Sequence, residues 1–136
     1  MAVVEGLIRT EADGSLSFGN HMLAEKAKKE DFEHGGDLYK VKTYGTMTKL
    51  EKNGMFVYES VPGTSVSHFA EEADGITFAV EGKEDAQLTV GLQDETEYEV
   101  LINGESIGKM RTSLGGKLSI SVALSENEEA SVAIRK

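Results

Sequence analysis

The sequence predicts an all-β fold, an antiparallel β-sandwich, from hydrophobic alternation with a period of two and from closely spaced turn signals. Every second residue is apolar in Lys117–Leu124, and Ala86–Leu92 and Glu97–Gly104 repeat the pattern. Such alternation is typical of antiparallel strands with one face toward a core and the other toward water. Asn-Gly, Asp-Gly and Gly-Gly pairs separate the segments, and Gly and Asn tolerate the positive φ that tight hairpin turns need.

The C-terminal part, residues 63–136, is the more regular one. We count seven strand-like segments between Ser65 and Lys136, roughly one per 8–12 residues. This spacing predicts an immunoglobulin/fibronectin-III-like or jelly-roll-like sandwich. The pair Pro62-Gly63 marks a turn and is the best candidate for a boundary with the preceding part.

The N-terminal part, residues 1–62, is predicted to be a further β unit. It contains strand-like segments, but residues 22–37 (MLAEKAKKEDFEHGGD) lack clean alternation and are rich in helix-forming Ala, Leu, Glu and Lys. This segment is therefore a short helix or an exposed charged loop. We expect both units to pack as one compact body.

The tetrapeptide EADG occurs twice, at Glu11–Gly14 and at Glu72–Gly75, and each copy precedes a strand-like segment. A calcium loop needs several oxygen ligands at close spacing, which one Asp and one Gly do not supply. Asp followed by Gly is what a β-turn requires, because the Asp side chain bonds nearby backbone and Gly takes positive φ. Both copies are predicted to be corners of a sheet.

Charge and composition remove several classes of function. The 136-residue chain has a formal net charge of −10 and no cysteine. Its charge disfavours binding to nucleic acid or to anionic membranes, and disulfides and thiolate metal sites are excluded. No segment approaches the roughly 20 apolar residues of a membrane span. Without a signal-peptide pattern at the N-terminus, we expect a cytoplasmic protein.

No motif for catalysis, cofactor binding or metal binding is found, so we predict no catalytic, cofactor or metal residues. The three histidines, His21, His34 and His68, lie far apart in the sequence. Metal binding needs three or four converging ligands, and an acidic surface loop is the simpler interpretation of the surroundings of His34. A small hydrolase would need a pocket that brings His68 or His34 within hydrogen-bond reach of a carboxylate or serine.

Tyrosines are the candidates for ligand contact, because β-sandwiches that bind glycans use aromatic platforms and this chain has no tryptophan. The candidates are Tyr39, Tyr44, Tyr58 and Tyr98. A carbohydrate-binding module would expose two or more of them on one concave face. The alternative is that these rings fill the core and pair across strands.

Two segments carry a resemblance to known proteins. Gly36–Thr64 (GDLYKVKTYGTMTKLEKNGMFVYESVPGT), with SFGN upstream, resembles small proteins of anaerobic bacteria often labelled "endosialidase". That label implies three arginines around a carboxylate, a tyrosine nucleophile and a multi-bladed propeller. A chain of 136 residues with three arginines in all is too short for such a propeller. The resemblance therefore supplies no catalytic residues.

The C-terminal half, EYEVLINGESIGKMRTSLGGKLSISVAL, resembles the small β-sandwich tails appended to polysaccharide-processing enzymes. This resemblance implies a sheet geometry and no activity, since one fold hosts many functions.

The function predicted from these observations is a non-catalytic binding or accessory module, or a self-assembling structural subunit. The carbohydrate-binding module is the alternative, and a small hydrolase is the third candidate. The expected partner is a second copy of the chain, another protein or a glycan. Association would use a strand edge or an apolar face, and the C-terminal SVAIRK, with its Arg and Lys, is the predicted edge.

Overall fold

The computed structural model describes residues 3–126 and 128–136, and this part of the chain contains strands and no helix. The strands are β1 (Ile8–Thr10), β2 (Leu16–Phe18), β3 (Ala27–His34), β4 (Asp37–Thr43), β5 (Thr48–Lys52), β6 (Met55–Val61), β7 (Ser65–Glu72), β8 (Gly75–Glu81), β9 (Ala86–Gly91), β10 (Glu97–Ile102), β11 (Glu105–Arg111), β12 (Lys117–Val122) and β13 (Glu129–Arg135). The all-β prediction is confirmed. No helix in the described residues is long and apolar enough to cross a membrane.

The strands form two antiparallel sheets that pack face to face as a β-sandwich. The seven-stranded sheet has the order β1-β2-β7-β8-β13-β10-β11, and the six-stranded sheet has the order β12-β9-β6-β5-β4-β3. The seven strands predicted between Ser65 and Lys136 correspond to β7–β13. Alternation explains the layers, because β12 buries every second residue (Leu118, Ile120, Val122) and exposes the residues between them.

The core lies between the sheets and centres on aromatic rings from both of them. Tyr58, on the six-stranded sheet, contacts Phe18 and Phe78 of the opposite sheet edge to face, with ring centroids 5.3 and 5.8 Å apart. All three rings are buried. Edge-to-face pairs at this separation stabilise a core beyond their buried area, so these rings fix how the two sheets face each other.

The parts of the chain before and after Pro62 share both sheets. In the seven-stranded sheet β2 pairs with β7, and in the six-stranded sheet β6 pairs with β9. Pro62 itself lies in the connection between β6 and β7. Strands from the two sides of the predicted boundary therefore hydrogen-bond directly to each other.

Residues 22–37 are neither the predicted helix nor simply a loop. Ala27–His34 forms β3, an edge strand that pairs with β4 along most of its length. Alternation is hidden there because the register shifts between Lys29 and Phe32 and because Asp31 has a φ of 58°. Pairing with β4 overrides the intrinsic helix preference of the segment, as tertiary contacts commonly do.

The prediction that the C-terminal SVAIRK forms a sheet edge is also wrong. β13 is an interior strand, paired with β8 on one side and with β10 on the other. Arg135 does not guard an exposed edge, since its Nε lies 3.8 Å from Glu99 Oε1 on β10. In the described part of the chain the edge strands are β1 and β11 in one sheet and β3 and β12 in the other.

Candidate functional site

A cleft of about 570 Å³ lies at one end of the sandwich. One wall comes from the seven-stranded sheet, with the β1–β2 turn and β7, and the other from the six-stranded sheet, with the β3–β4 turn, Tyr39 and Lys52. His68 lies on the first wall and His34 on the second. We call this site the His34–His68 cleft.

The first EADG copy forms the β1–β2 turn and places Asp13 at the cleft. The backbone N–H and the hydroxyl of Ser15 both donate to Asp13 Oδ1, at 2.9 and 2.5 Å. These two bonds are the main reason that the pKa of Asp13 falls from 3.8 to about 2, with a smaller contribution from His68. Asp13 is therefore ionised at neutral pH, and the two hydrogen bonds from Ser15 hold its carboxylate in place.

A β-bulge in β7 places His68 in the same cleft. The register with β8 shifts between Ser67 and Ala70, and His68 has a φ of 52°, in the left-handed region. Its backbone N–H donates to Ser17 Oγ at 3.1 Å. A left-handed conformation costs a non-glycine residue about 1–2 kcal/mol, and bulges that redirect a side chain are common beside functional sites.

His68 and Asp13 form a hydrogen-bonded pair across this wall. His68 Nδ1 donates to Asp13 Oδ2 at 3.0 Å, which fixes the tautomer of a neutral ring with the proton on Nδ1. The lone pair is then on Nε2, to which no described residue hydrogen-bonds. Because the His68 side chain is 58% exposed, Nε2 is an accessible hydrogen-bond acceptor.

Ser15 completes a serine, histidine and aspartate cluster, but not one arranged for nucleophilic catalysis. Ser15 Oγ lies 3.2 Å from His68 Nδ1, the same nitrogen that binds Asp13. In a catalytic triad the serine and the aspartate use opposite ring nitrogens, so that the far nitrogen accepts the serine proton. Here the Ser15 hydroxyl already donates to Asp13, and it is held as part of the turn.

The opposite wall holds the second imidazole. His34 Nδ1 is 2.8 Å from Thr10 Oγ1, a contact that links β3 to β1 of the other sheet. The ring of His34 packs edge to face on Tyr39 at 5.7 Å between centroids. Burial raises the pKa of Tyr39 to about 12, with Glu71 and Asp37 adding to the effect, so Tyr39 is a neutral part of the wall.

The remaining charged groups of the cleft are two acids and one lysine. Lys52 Nζ lies 3.4 Å from Glu71 Oε1 on β7 and 3.8 Å from Asp37 Oδ2 on β4. With Asp13, the cleft holds three carboxylates and this single ammonium group. Its lining is therefore negative when the imidazoles are neutral.

The predicted tyrosines do not form an exposed platform. Tyr39, Tyr58 and Tyr98 are buried, with at most 5% of their surface exposed, and Tyr44 is partly buried. Of these four, only Tyr39 lines the His34–His68 cleft. The aromatic arrangement that a carbohydrate-binding module would need, two or more exposed tyrosines on one concave face, is absent.

The histidines are divided between two places. His34 and His68 share the cleft, whereas His21 is buried elsewhere, with its Nδ1 2.7 Å from Ser65 Oγ. Burial lowers the pKa of His21, which favours its neutral form. Within residues 3–126 and 128–136, no group of three or more His, Asp or Glu side chains is arranged to hold a metal ion.

Sequence reasoning found the turn at Asp13 and the strand at His68 but missed their pairing. The two residues are 55 positions apart, and nothing in SVSHFAEE marks His68 as the residue of a bulge. The signal present in the sequence was the Asp-Gly turn alone, which predicts a corner and not what the corner contacts.

Comparisons with known proteins give no relative: no protein-family model matches the chain, and no curated protein or solved structure matches it significantly.

Proposed function

We propose that this protein is a non-catalytic binding module that holds a small, cationic, hydrogen-bond-donating ligand in the His34–His68 cleft. The observation that carries the proposal is the His68–Asp13 pair. A strained bulge places His68 at the cleft, Asp13 fixes its tautomer, and Nε2 is left as an acceptor. Strained backbone of this kind persists where the surrounding structure enforces it, often at ligand sites.

The chemistry of the lining supports a cationic ligand. Asp13, Asp37 and Glu71 outnumber Lys52, and Nε2 of His68 adds an acceptor in the neutral form of the ring. An ammonium or guanidinium group supplies the complementary charge and several donors. A volume of about 570 Å³ is within the range of small-molecule sites. The net charge of −10 would also steer cations toward the molecule.

A hydrolase receives less support, although part of the pocket that it would need is present. His68 is within hydrogen-bond reach of a carboxylate and of a serine. Both partners nevertheless approach Nδ1, so His68 cannot take a proton from Ser15 while it is bound to Asp13. Hydrogen bonds between a fixed imidazole, a carboxylate and an incoming donor need only the geometry present here, which favours binding.

The two EADG copies offer a matched pair of variants to test the proposal. Asp13→Asn removes the carboxylate that holds His68, and Asp74→Asn makes the same change in the second copy, whose turn is outside the cleft. We expect calorimetric titration with small ammonium and guanidinium compounds to show binding to the native chain. Asp13→Asn should weaken it about tenfold, or about 1.4 kcal/mol, and Asp74→Asn should leave it nearly unchanged.

The titration includes carboxylates and neutral sugars of matched size as further probes. Equal weakening by both variants would mean that only overall charge matters, and it would contradict a site in this cleft. Binding of the sugars in place of the cations would favour the carbohydrate-binding alternative. The cytoplasmic location expected from the sequence stays a prediction within this proposal.

A further inference from the structure

The four sheet edges of the described chain differ in how well they are protected from pairing with another strand. β1 has only three residues. β3 carries a register shift and five charged residues among eight: Lys28, Lys29, Glu30, Asp31 and Glu33. β11 is shifted against β10 and carries Glu105, Lys109 and Arg111. Short length, bulges and charges are the features by which proteins prevent edge-to-edge association.

β12 has none of these features along most of its length. It pairs with β9 in continuous register from Lys117↔Gly91 to Val122↔Ala86, without a bulge. Its one charge, Lys117, is at the N-terminal end, where Nζ lies 4.7 Å from the centroid of the Phe56 ring. The uncharged segment that follows, LSISVAL, alternates apolar with small polar residues and has no bulge within β12, as is typical of a strand that readily adds a neighbour.

The hydrogen-bonding register shows which backbone groups of β12 face outward. Leu92 N–H donates to Gly116 C=O at 2.8 Å. Bonded residues alternate in an antiparallel ladder, so Leu118, Ile120 and Val122 bond to β9 while Ser119 and Ser121 direct N–H and C=O away from it. Lys117 also faces outward, but Ser113 binds both its N–H and its C=O. The open edge therefore begins at Ser119.

We propose that β12 pairs antiparallel with β12 of a second copy of this chain and joins two six-stranded sheets into one. The strand is complementary to itself about Ile120: Ser119 lies opposite Ser121 of the other copy, and each such pair can exchange two backbone hydrogen bonds. Lys117 then lies opposite Ala123, so that no like charges meet. In an in-register parallel arrangement the two Lys117 side chains would be neighbours, so charge favours the antiparallel orientation.

Two lysine variants test this interface by molar mass. The chain has a mass of 14.7 kDa, and we expect light scattering after size-exclusion chromatography to give twice that value for the native protein. Ser119→Lys with Ser121→Lys should return it to the single-chain mass, because the new lysines face each other across the two-fold axis. Ser106→Lys with Ile107→Lys adds the same charge to the β11 edge and should leave the dimer intact.

A single-chain mass for the native protein at all concentrations would overturn the proposal, as would a dimer that survives the β12 variant. Hydrogen exchange on the native chain gives a second readout that needs no variant. The amides of Ser119 and Ser121 should become protected as concentration rises, whereas those of Leu118 and Ile120 should be protected throughout. Unprotected amides at Ser119 and Ser121 under conditions in which light scattering shows a dimer would also overturn it.

Discussion

Asp13 and Asp74 occupy the same place in the two EADG copies and do different things. Asp13 binds Ser15 and His68 through its side chain, and it joins the turn to β7. Asp74 uses its backbone C=O to accept the N–H of Lys136. Both segments are the corners that the sequence predicted, but only the first also holds a candidate ligand-binding residue. The local Asp-Gly sequence determines that a turn forms at both places, whereas the neighbouring strand determines which residues each Asp contacts.

The lowered pKa of Asp13 predicts a specific dependence of stability on pH. A carboxyl with a lower pKa in the folded state contributes stability above its ordinary value of 3.8, and this contribution is lost as pH falls through about 2. Glu11, whose pKa is lowered mainly by a hydrogen bond from Ser17, loses its contribution in the acidic range too, in every variant. The difference between variants therefore isolates Asp13.

The measurement is the urea midpoint at a series of acidic pH values. The native chain and Asp74→Asn should lose stability in parallel between pH 3.8 and about 2. Asp13→Asn should lose less over that window, because it has no carboxyl to protonate there. Equal losses in all three proteins would show that Ser15 and His68 do not stabilise the Asp13 carboxylate in solution.

At the scale of strands, the two EADG turns also differ in how closely a neighbouring backbone approaches their glycine. A Cβ on Gly75 would lie 1.8 Å from the carbonyl oxygen of Ile134 on β13, whereas a Cβ on Gly14 would meet nothing within 4 Å. Gly75 lets β8 start directly against β13, with which it pairs through Arg135. This contact is part of what holds β13 inside the sheet.

Alanine at these two glycines should therefore have unequal effects. Gly14→Ala should lower the free energy of unfolding only through the strain of a positive φ, by about 1–2 kcal/mol. Gly75→Ala adds a backbone clash, which brings the expected loss to about 3 kcal/mol or more. Urea denaturation of both variants measures the difference, and a Gly75→Ala variant as stable as Gly14→Ala would contradict the packing of β8 on β13.

Strand existence could be read from the sequence more reliably than strand order. Alternation identified β8, β9, β10, β12 and β13, because each of these strands has one face in the core. β3 was missed because its bulge at Asp31 breaks the period and its side chains are mostly exposed. β13 was assigned to an edge because no local pattern tells a strand which neighbours it will have. Its position depends on pairing with β8 and β10, distant in sequence.

On the scale of the whole molecule, charge and shape favour the same kind of ligand. The chain has a net charge of −10, and the lining of the His34–His68 cleft includes three carboxylates, two imidazoles and one ammonium group. The sequence predicted the acidic surface but not the cleft, because the cleft needs residues from both sheets. Only the packing of the β1–β2 turn, β7 and the β3–β4 turn brings His34 and His68 to one site.

Cation binding in the His34–His68 cleft is tested most directly by an NMR titration of the native chain with small ammonium and guanidinium compounds. Every backbone amide and histidine ring is observed. A cation site in the cleft predicts saturable shifts at His68, His34 and Asp13, with much smaller shifts at His21 and on β12. Shifts that are absent, or that appear across the acidic surface without saturation, would show that the cleft is not a binding site for such cations.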